Sequence, residues 1–244
     1  MILEVCTGCY NDCIKAYRAG AKRVELNSAL SLGGLTPSLA TLRNVKRDTD
    51  LKVMCMVRNR AAGFCYSDDE FKIMKEDAKI LLENGADGIV AGFLTEKHQI
   101  DVEKTREMAA LAHSCHKEFT FHRAIDVCRD YESSIEVLIA LHVDRVLTSG
   151  QRKTALEGKQ NLGRVQEKYG QEIHILAGVG INASNVKDII LSTHVNEVHS
   201  SCKGYEEDAS TAYNDISYGY LENKNAFEVV SEEKVRELVS LILK

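Results

Sequence analysis

Residues 69–93 read DEFKIMKEDAKILLENGADGIVAGF, and this stretch holds one full unit of the pattern that sets the fold. Phe71, Met74, Ala78, Leu81 and Leu82 recur at helical spacing, which predicts an amphipathic helix over 69–83. Ser67 with Glu70 three residues later fits a capping box at its start. Asn84-Gly85-Ala86-Asp87-Gly88 reads as a helix-to-strand connection, with Gly85 placed to end the helix. GIVAGF (88–93) then reads as a short buried strand.

The same unit recurs from end to end. Further strands are expected at ILEV (2–5), RVELN (23–27), KVMCMVR (52–58), EFTFHR (118–123), RVLTSG (145–150), HILAGVG (174–180) and NEVHSS (196–201). Helical periodicity lies between them, for example over 102–113. Thr36-Pro37 offers an N-cap followed by proline at the first helical position, and Gly20 and Gly170 sit where other helices should stop. Eight strands in alternation with helices predict an α/β fold, a single-domain TIM-like (β/α)8 barrel over residues 1–244. A doubly wound open sheet is the competitor, but the first strand leads into Cys-Thr-Gly-Cys-Tyr rather than a glycine-rich phosphate turn. The irregular stretch Gly204–Phe227 delays a final helix expected at about Glu232–Leu243. A loop of that length either covers a barrel end or is a surface excursion.

The chain of 244 residues carries 31 basic and 36 acidic side chains, net −5, with both signs dispersed. No basic tract or basic face interleaved with aromatics occurs, so neither nucleic acid nor a membrane surface is expected as a partner. The sequence opens on an apolar run with no signal-peptide pattern, and no apolar segment approaches the ~20 residues that span a bilayer. A cytoplasmic protein is expected, and its eight cysteines are expected as thiols.

In a barrel, side chains alternate inward and outward, and the C-terminal strand ends carry the chemistry. That alternation points Glu4 and Cys6 inward from strand one, Glu25 and Asn27 from strand two, and Met54, Met56 and Arg58 from strand three. It points Thr120 and His122 inward from strand five, Thr148 from strand six, and Glu197, His199 and Ser201 from strand eight. Charged groups buried unpaired are costly, so these residues are expected to share one site, with Glu4 or Glu25 balancing Arg58 and the two histidines. Glu4, Glu25, Arg58, His122 and His199 are the candidate catalytic residues. The other reading is an ion-pair network at the barrel mouth with no chemistry.

AGVGINASN (177–185) and HSSCK (199–203) give a second signal. Gly178 and Gly180 permit close backbone approach, and Ser200 and Ser201 add hydroxyls where barrels often hold phosphate. Thr148 and Ser149 at the end of strand six either position a ligand or satisfy local backbone groups. With Arg60, these residues form the candidate binding set.

Several blocks together resemble the CutC family of copper homeostasis proteins: RVELNSALSLGGLTPS, GFCYSD, FTFHRAID, DRVLTSG and EVHSS, in that order from about Leu3 to Ser201. The resemblance implies a cytoplasmic TIM-like barrel, often oligomeric, linked to copper handling and described as copper-binding. It implies no organic cofactor, and a homo-oligomer, first a dimer, is expected. Two departures stand out. The family often has a cysteine ending the second strand, facing one at the end of the first; this chain keeps Cys6 but has Asn27. The family loop Arg-Pro-Arg-Gly-Gly-Asp-Phe is here Arg58-Asn59-Arg60-Ala61-Ala62-Gly63-Phe64.

Cu(I) is soft and prefers thiolate and thioether ligands. Cys6 and Cys9 form a Cys-x-x-Cys that could supply two thiolates in place of the missing partner. Cys13 reads as a small buried residue of the first helix, and the dispersed Cys55, Cys65, Cys115, Cys128 and Cys202 as structural or incidental. Two functional readings follow. One is a copper homeostasis protein binding Cu(I) at the barrel mouth through Cys6 and Cys9. The other is a barrel enzyme acting on a small anionic metabolite, phosphorylated or not, with His122 or Glu25 as acid or base and Arg58 holding the anion. A scaffold with a vestigial site is the third class.

Overall fold

A computed structural model of the chain describes residues 1–222 and 225–242. Eight parallel strands close on themselves in sequence order. They are β1 (Ile2–Thr7), β2 (Arg23–Leu26), β3 (Lys52–Met56), β4 (Gly88–Ala91), β5 (Glu118–Phe121), β6 (Arg145–Thr148), β7 (His174–Ala177) and β8 (Glu197–Ser200). Closure is made by β8 against β1, with Glu4 opposite His199. The helices α1 (Tyr10–Arg18), α2 (Leu39–Asp48), α3 (Asp68–Glu83), α4 (Val102–Ser114), α5 (Tyr131–Ala140), α6 (Lys159–Tyr169) and α7 (Val186–Thr193) follow the strands in turn. The predicted (β/α)8 barrel is therefore the fold.

The helix signals resolve residue by residue. Ser67 and Glu70 form the capping box that opens α3. Thr36 does not cap α2: Ser38 does, accepting from Thr41 N–H, and Thr36 instead exchanges hydrogen bonds with the Arg58 backbone. Gly85 follows α3 at φ +103°, a left-handed conformation that L-residues rarely adopt. Gly170 ends α6 in ordinary right-handed geometry.

The stretch expected as an irregular loop carries short strands. After β8, β9 (Lys203–Glu207) pairs antiparallel with β12 (Ala226–Val230), and β10 (Ala212–Tyr213) with β11 (Ile216–Ser217) forms a small hairpin beyond them. Residues 223 and 224 of the predicted 204–227 segment lie outside the described residues. The last helix, α8, spans Glu232–Ile242; Leu243, where it was expected to end, also lies outside them.

Most of the apolar core sits between barrel and helices. Outward strand residues such as Val5, Val24, Val53, Ile89, Phe119, Val146 and Val198 meet Ala16, Leu42, Met74, Met108, Ile135 and Leu162 from the helices. Each large side chain buried this way contributes about 1.5–3 kcal/mol. Inside the barrel the apolar content is small, a cluster of Met54, Met56 and Val90. Much of the rest of the interior is ionic. Arg23 bonds Glu4 at 2.7 Å and also Glu197, while Arg145 bonds Glu197 and, at 2.8 Å, Glu118. Removing one member would strand a buried charge, which is why such a network holds only when complete.

Candidate functional site

The C-terminal ends of the strands surround a cavity of about 370 Å³ lined by Cys6, Glu25, Asn27, Met56, Arg58, Phe64, His122, Leu147 and His199, with Ser201, Lys203 and Glu228 at its rim. Each inward residue arrives by strand alternation. Cys6 and Glu25 are paired neighbours in the β1–β2 register, and Glu4 and His199 are paired neighbours in the β1–β8 register.

On the wall made by β1, β2 and β8, ligand atoms of Cys6, Glu25 and His199 lie within 4.8 Å of one another. Asn27 holds this wall together: its Nδ2 donates to Glu25 Oε2 at 2.9 Å and to Cys6 Sγ at 3.6 Å. Cys6 Sγ in turn lies 3.7 Å from Glu25 Oε2. The residue standing in the family cysteine's place thus contacts the cysteine it would have faced. His199 Nδ1 lies 2.9 Å from Glu4 Oε1, which leaves Nε2 as the ring atom free for the cavity.

The electrostatics of this wall are coupled. Burial would lower the His199 pKa, but Glu25, then the hydrogen bond and charge of Glu4, raise it above the ordinary value. Burial raises Glu25, and Glu4 adds to the rise, against the opposing pull of His199, Asn27 and Cys6. Glu4 is the reverse: burial opposes its ionisation, yet Arg23 and His199 hold it below the ordinary carboxyl value. Cys6 is pushed well up, by burial first and then by Glu25 and Glu4, so its resting form is the thiol.

Across the barrel, Arg58 and His122 form a second wall. The expectation that Glu4 or Glu25 balances Arg58 is not met. Arg58 Nη1 donates to the carbonyls of Leu32 and Gly34, and Nη2 to that of Ala62. Ala62 takes φ +71° at a position where the family loop has glycine. His122 Nδ1 accepts from Ala124 N–H at 3.2 Å, and burial, then Arg58, push its pKa down to about 3. It is a neutral imidazole rather than a partner for a carboxylate.

The remaining predicted residues lie elsewhere. Cys9 is exposed at the start of α1 and does not line the cavity. Arg60 pairs with Glu70 and stacks over Tyr66 at 4.8 Å, pinning its loop to α3. Thr148 points outward, not inward: it bonds Tyr131 Oη at 2.9 Å and Asp126 at 2.6 Å, while its neighbours Arg145 and Leu147 face the interior. Ser149 likewise donates to Asp126 through N–H and hydroxyl. Gly178 leaves room for Leu147, which a Cβ would approach to 2.6 Å. Gly180 and Ser200 line a separate groove with Lys234. There Ser200 donates to Ile181 O, and in the loop before α7 the Asn185 and Asn182 side chains already accept from the N–H groups of Asn182 and Ser184. Ser201 borders both spaces.

Sequence reasoning missed Arg23, Arg145 and Glu118, which build the ionic floor, and Phe64 and Leu147, which line the mouth. Arg23 was legible, since it shares the inward phase of Glu25 in RVELN.

Comparison with known proteins matches residues 1–204 to the family model described as CutC family. A CutC family protein of Treponema denticola is 47% identical over 218 residues, covering 89% of this chain and 88% of that one. A CutC family protein of Vibrio cholerae is 40% identical over 201 residues, covering 82% of this chain and 79% of that one. Among solved structures, a Streptococcus agalactiae protein described as a candidate copper homeostasis protein CutC superposes with TM-score 0.77 at 29% identity, over 82% of this chain and 98% of that one. A phosphoribosylanthranilate isomerase of Thermotoga maritima, at 12% identity and TM-score 0.58, shares the barrel alone; it covers 100% of this chain and 99% of that one.

Proposed function

The chain belongs to the CutC family, and from that premise we propose that it is a cytoplasmic copper homeostasis protein that takes Cu(I) as cargo at the mouth of its barrel. The observation that carries this reading is the gathering of Cys6, Glu25 and His199 ligand atoms within 4.8 Å in the mouth cavity. A thiolate and an imidazole suit Cu(I), and Met56 adds a thioether-bearing side chain to the same cavity. The carboxylate of Glu25 is a hard donor and adds little selectivity for Cu(I). The site is built from Cys6 and His199 rather than from Cys6 and Cys9.

Because burial and two carboxylates keep the Cys6 thiol protonated, copper uptake must displace a proton, and its affinity rises with pH. The low-identity barrel enzymes support the fold and not a shared reaction, so the enzyme reading is not favoured.

An anaerobic Cu(I) competition titration against a tight chromogenic chelator tests this. Wild type is expected to withdraw about one copper per chain, and Cys6→Ser and His199→Gln to lose the competition, with Cys9→Ser close to wild type. Copper capture by Cys6→Ser at wild-type strength would overturn the reading. Loss in Cys9→Ser would instead restore the pairing expected from the sequence.

A further inference from the structure

The wall of the mouth cavity away from Cys6 has its own unmet chemistry. His122 follows β5, four strands around the barrel from β1, and is 4% exposed. Since its Nδ1 accepts from Ala124 N–H, the ring proton sits on Nε2. That atom is buried and has no hydrogen-bond partner among the described residues. The ring orientation is fixed from behind: a Cβ on Gly92 would come within 2.4 Å of Nδ1 and 2.6 Å of Cε1. Only glycine there leaves room for the Nδ1–Cε1 edge of the ring, and the His122 side chain lines the mouth cavity.

Beside it stands a cation without a counter-charge. Arg58 is 5% exposed, makes no ion pair with any carboxylate among the described residues, and retains a buried Nε with no acceptor. Its two terminal nitrogens are tied to the carbonyls of Leu32, Gly34 and Ala62, so the guanidinium is held in place. The Phe64 ring touches both groups, 4.8 Å from the His122 ring centre and 5.4 Å from Arg58 Cζ. Leu30, Met56 and Leu147 supply further apolar lining. A buried cation and a buried N–H without acceptors are costly in an empty site, and a small anion satisfies both at once.

We infer that the mouth cavity binds a small organic monocarboxylate, its oxygens accepting from His122 Nε2–H and Arg58 Nε–H and its apolar part lying against Phe64. Two N–H donors beside one fixed positive charge match the two oxygens of a carboxylate. A phosphate dianion asks for more donors than this wall has left. The cavity of about 370 Å³ falls in the small-molecule range. This inference does not rest on the copper reading, since no residue of the Cys6 wall enters it, and it is tested on protein stripped of metal.

The measurement is fluorine NMR of 4-fluorobenzoate titrated with protein stripped of copper by a Cu(I) chelator, beside the neutral 4-fluorobenzyl alcohol. Saturable binding of the benzoate is expected, with the alcohol weaker by about tenfold or more. His122→Phe keeps a ring against Phe64 but removes the donor, and should weaken the benzoate by about tenfold. The inference is overturned if wild type shows no saturable benzoate binding, if the alcohol binds as well, or if folded His122→Phe binds like wild type. Should that variant not fold, the benzoate–alcohol comparison on wild type decides alone.

Discussion

His199 faces two ways: Nδ1 meets Glu4 at 2.9 Å, and the rest of the ring looks toward Cys6 and Glu25. Burial works against its charge, but Glu25 and Glu4 win and raise its pKa. The folded imidazole therefore keeps a proton that the unfolded one releases near pH 6.5. The stabilisation from this is fully present below about pH 6.5 and is lost as pH rises through the folded value. In metal-free protein, Glu4→Gln should lower the His199 titration midpoint followed by NMR of the ring protons. The stability gap between wild type and Glu4→Gln should shrink as pH rises past the wild-type midpoint. Part of the gap should survive at high pH, because Arg23 loses the same partner. An unmoved His199 midpoint in Glu4→Gln would mean that Glu4 does not hold the proton there.

At this scale the sequence told which side chains face inward more reliably than what each one touches. Glu4, Cys6, Glu25, His122 and His199 all face the interior as alternation implied. Their partners did not follow, because a pairing depends on register between strands far apart in the chain. Glu4 meets Arg23 rather than Arg58, and Arg58 meets backbone carbonyls.

Among the elements, α3 shows the closest match between local signal and structure. Ser67 Oγ accepts from Glu70 N–H at 3.2 Å, and Glu70 Oε2 accepts from Ser67 N–H at 2.8 Å. Glu70 also takes the Arg60 guanidinium, so the cap anchors the loop that carries Arg58 and Phe64 to the cavity. Ser67→Ala is expected to cost about 1 kcal/mol, read as a lower urea midpoint with an unchanged slope. A shift within measurement error would show that Arg60 and Glu70 hold the helix start without the serine. Strand six shows the opposite case. Reading Thr148 as inward placed Arg145 in the apolar layer under the helices, a cost that should have reversed the phase. The structure puts Arg145 inside against Glu197 and Glu118, and turns Thr148 to Tyr131 and Asp126.

For the whole molecule, the repeated strand–helix unit made the barrel legible, because each unit buries its apolar face by the same rule and eight of them close the sheet. What followed Ser200 was not legible, since β9 and β12 pair across a polar insertion with no alternating pattern to announce it. Yet this ribbon reaches the mouth: Lys203 of β9 and Glu228 of β12 line the cavity and pair with each other between the two strands.

The ribbon is tied to the start of the chain by one buried side chain. Asp12, on the first turn of α1, accepts from Val230 N–H at 2.8 Å and from Gly8 N–H at 3.0 Å. Gly8 lies in the loop directly after the strand that carries Cys6, so Asp12 joins the C-terminal ribbon to the edge of the site. Asp12→Ala would leave the buried Val230 N–H without its acceptor and free Gly8 as well, at a cost of about 1–3 kcal/mol. Amide exchange should quicken first at Gly8 and Val230 and then along β12, while strands β3 to β6, which make no contact with Asp12, keep their protection. Uniformly faster exchange across the barrel would mean that Asp12 supports global stability alone. Local opening would establish that the rim of the mouth is held shut from a residue outside it, and that access to the cavity can change without altering any group that lines it.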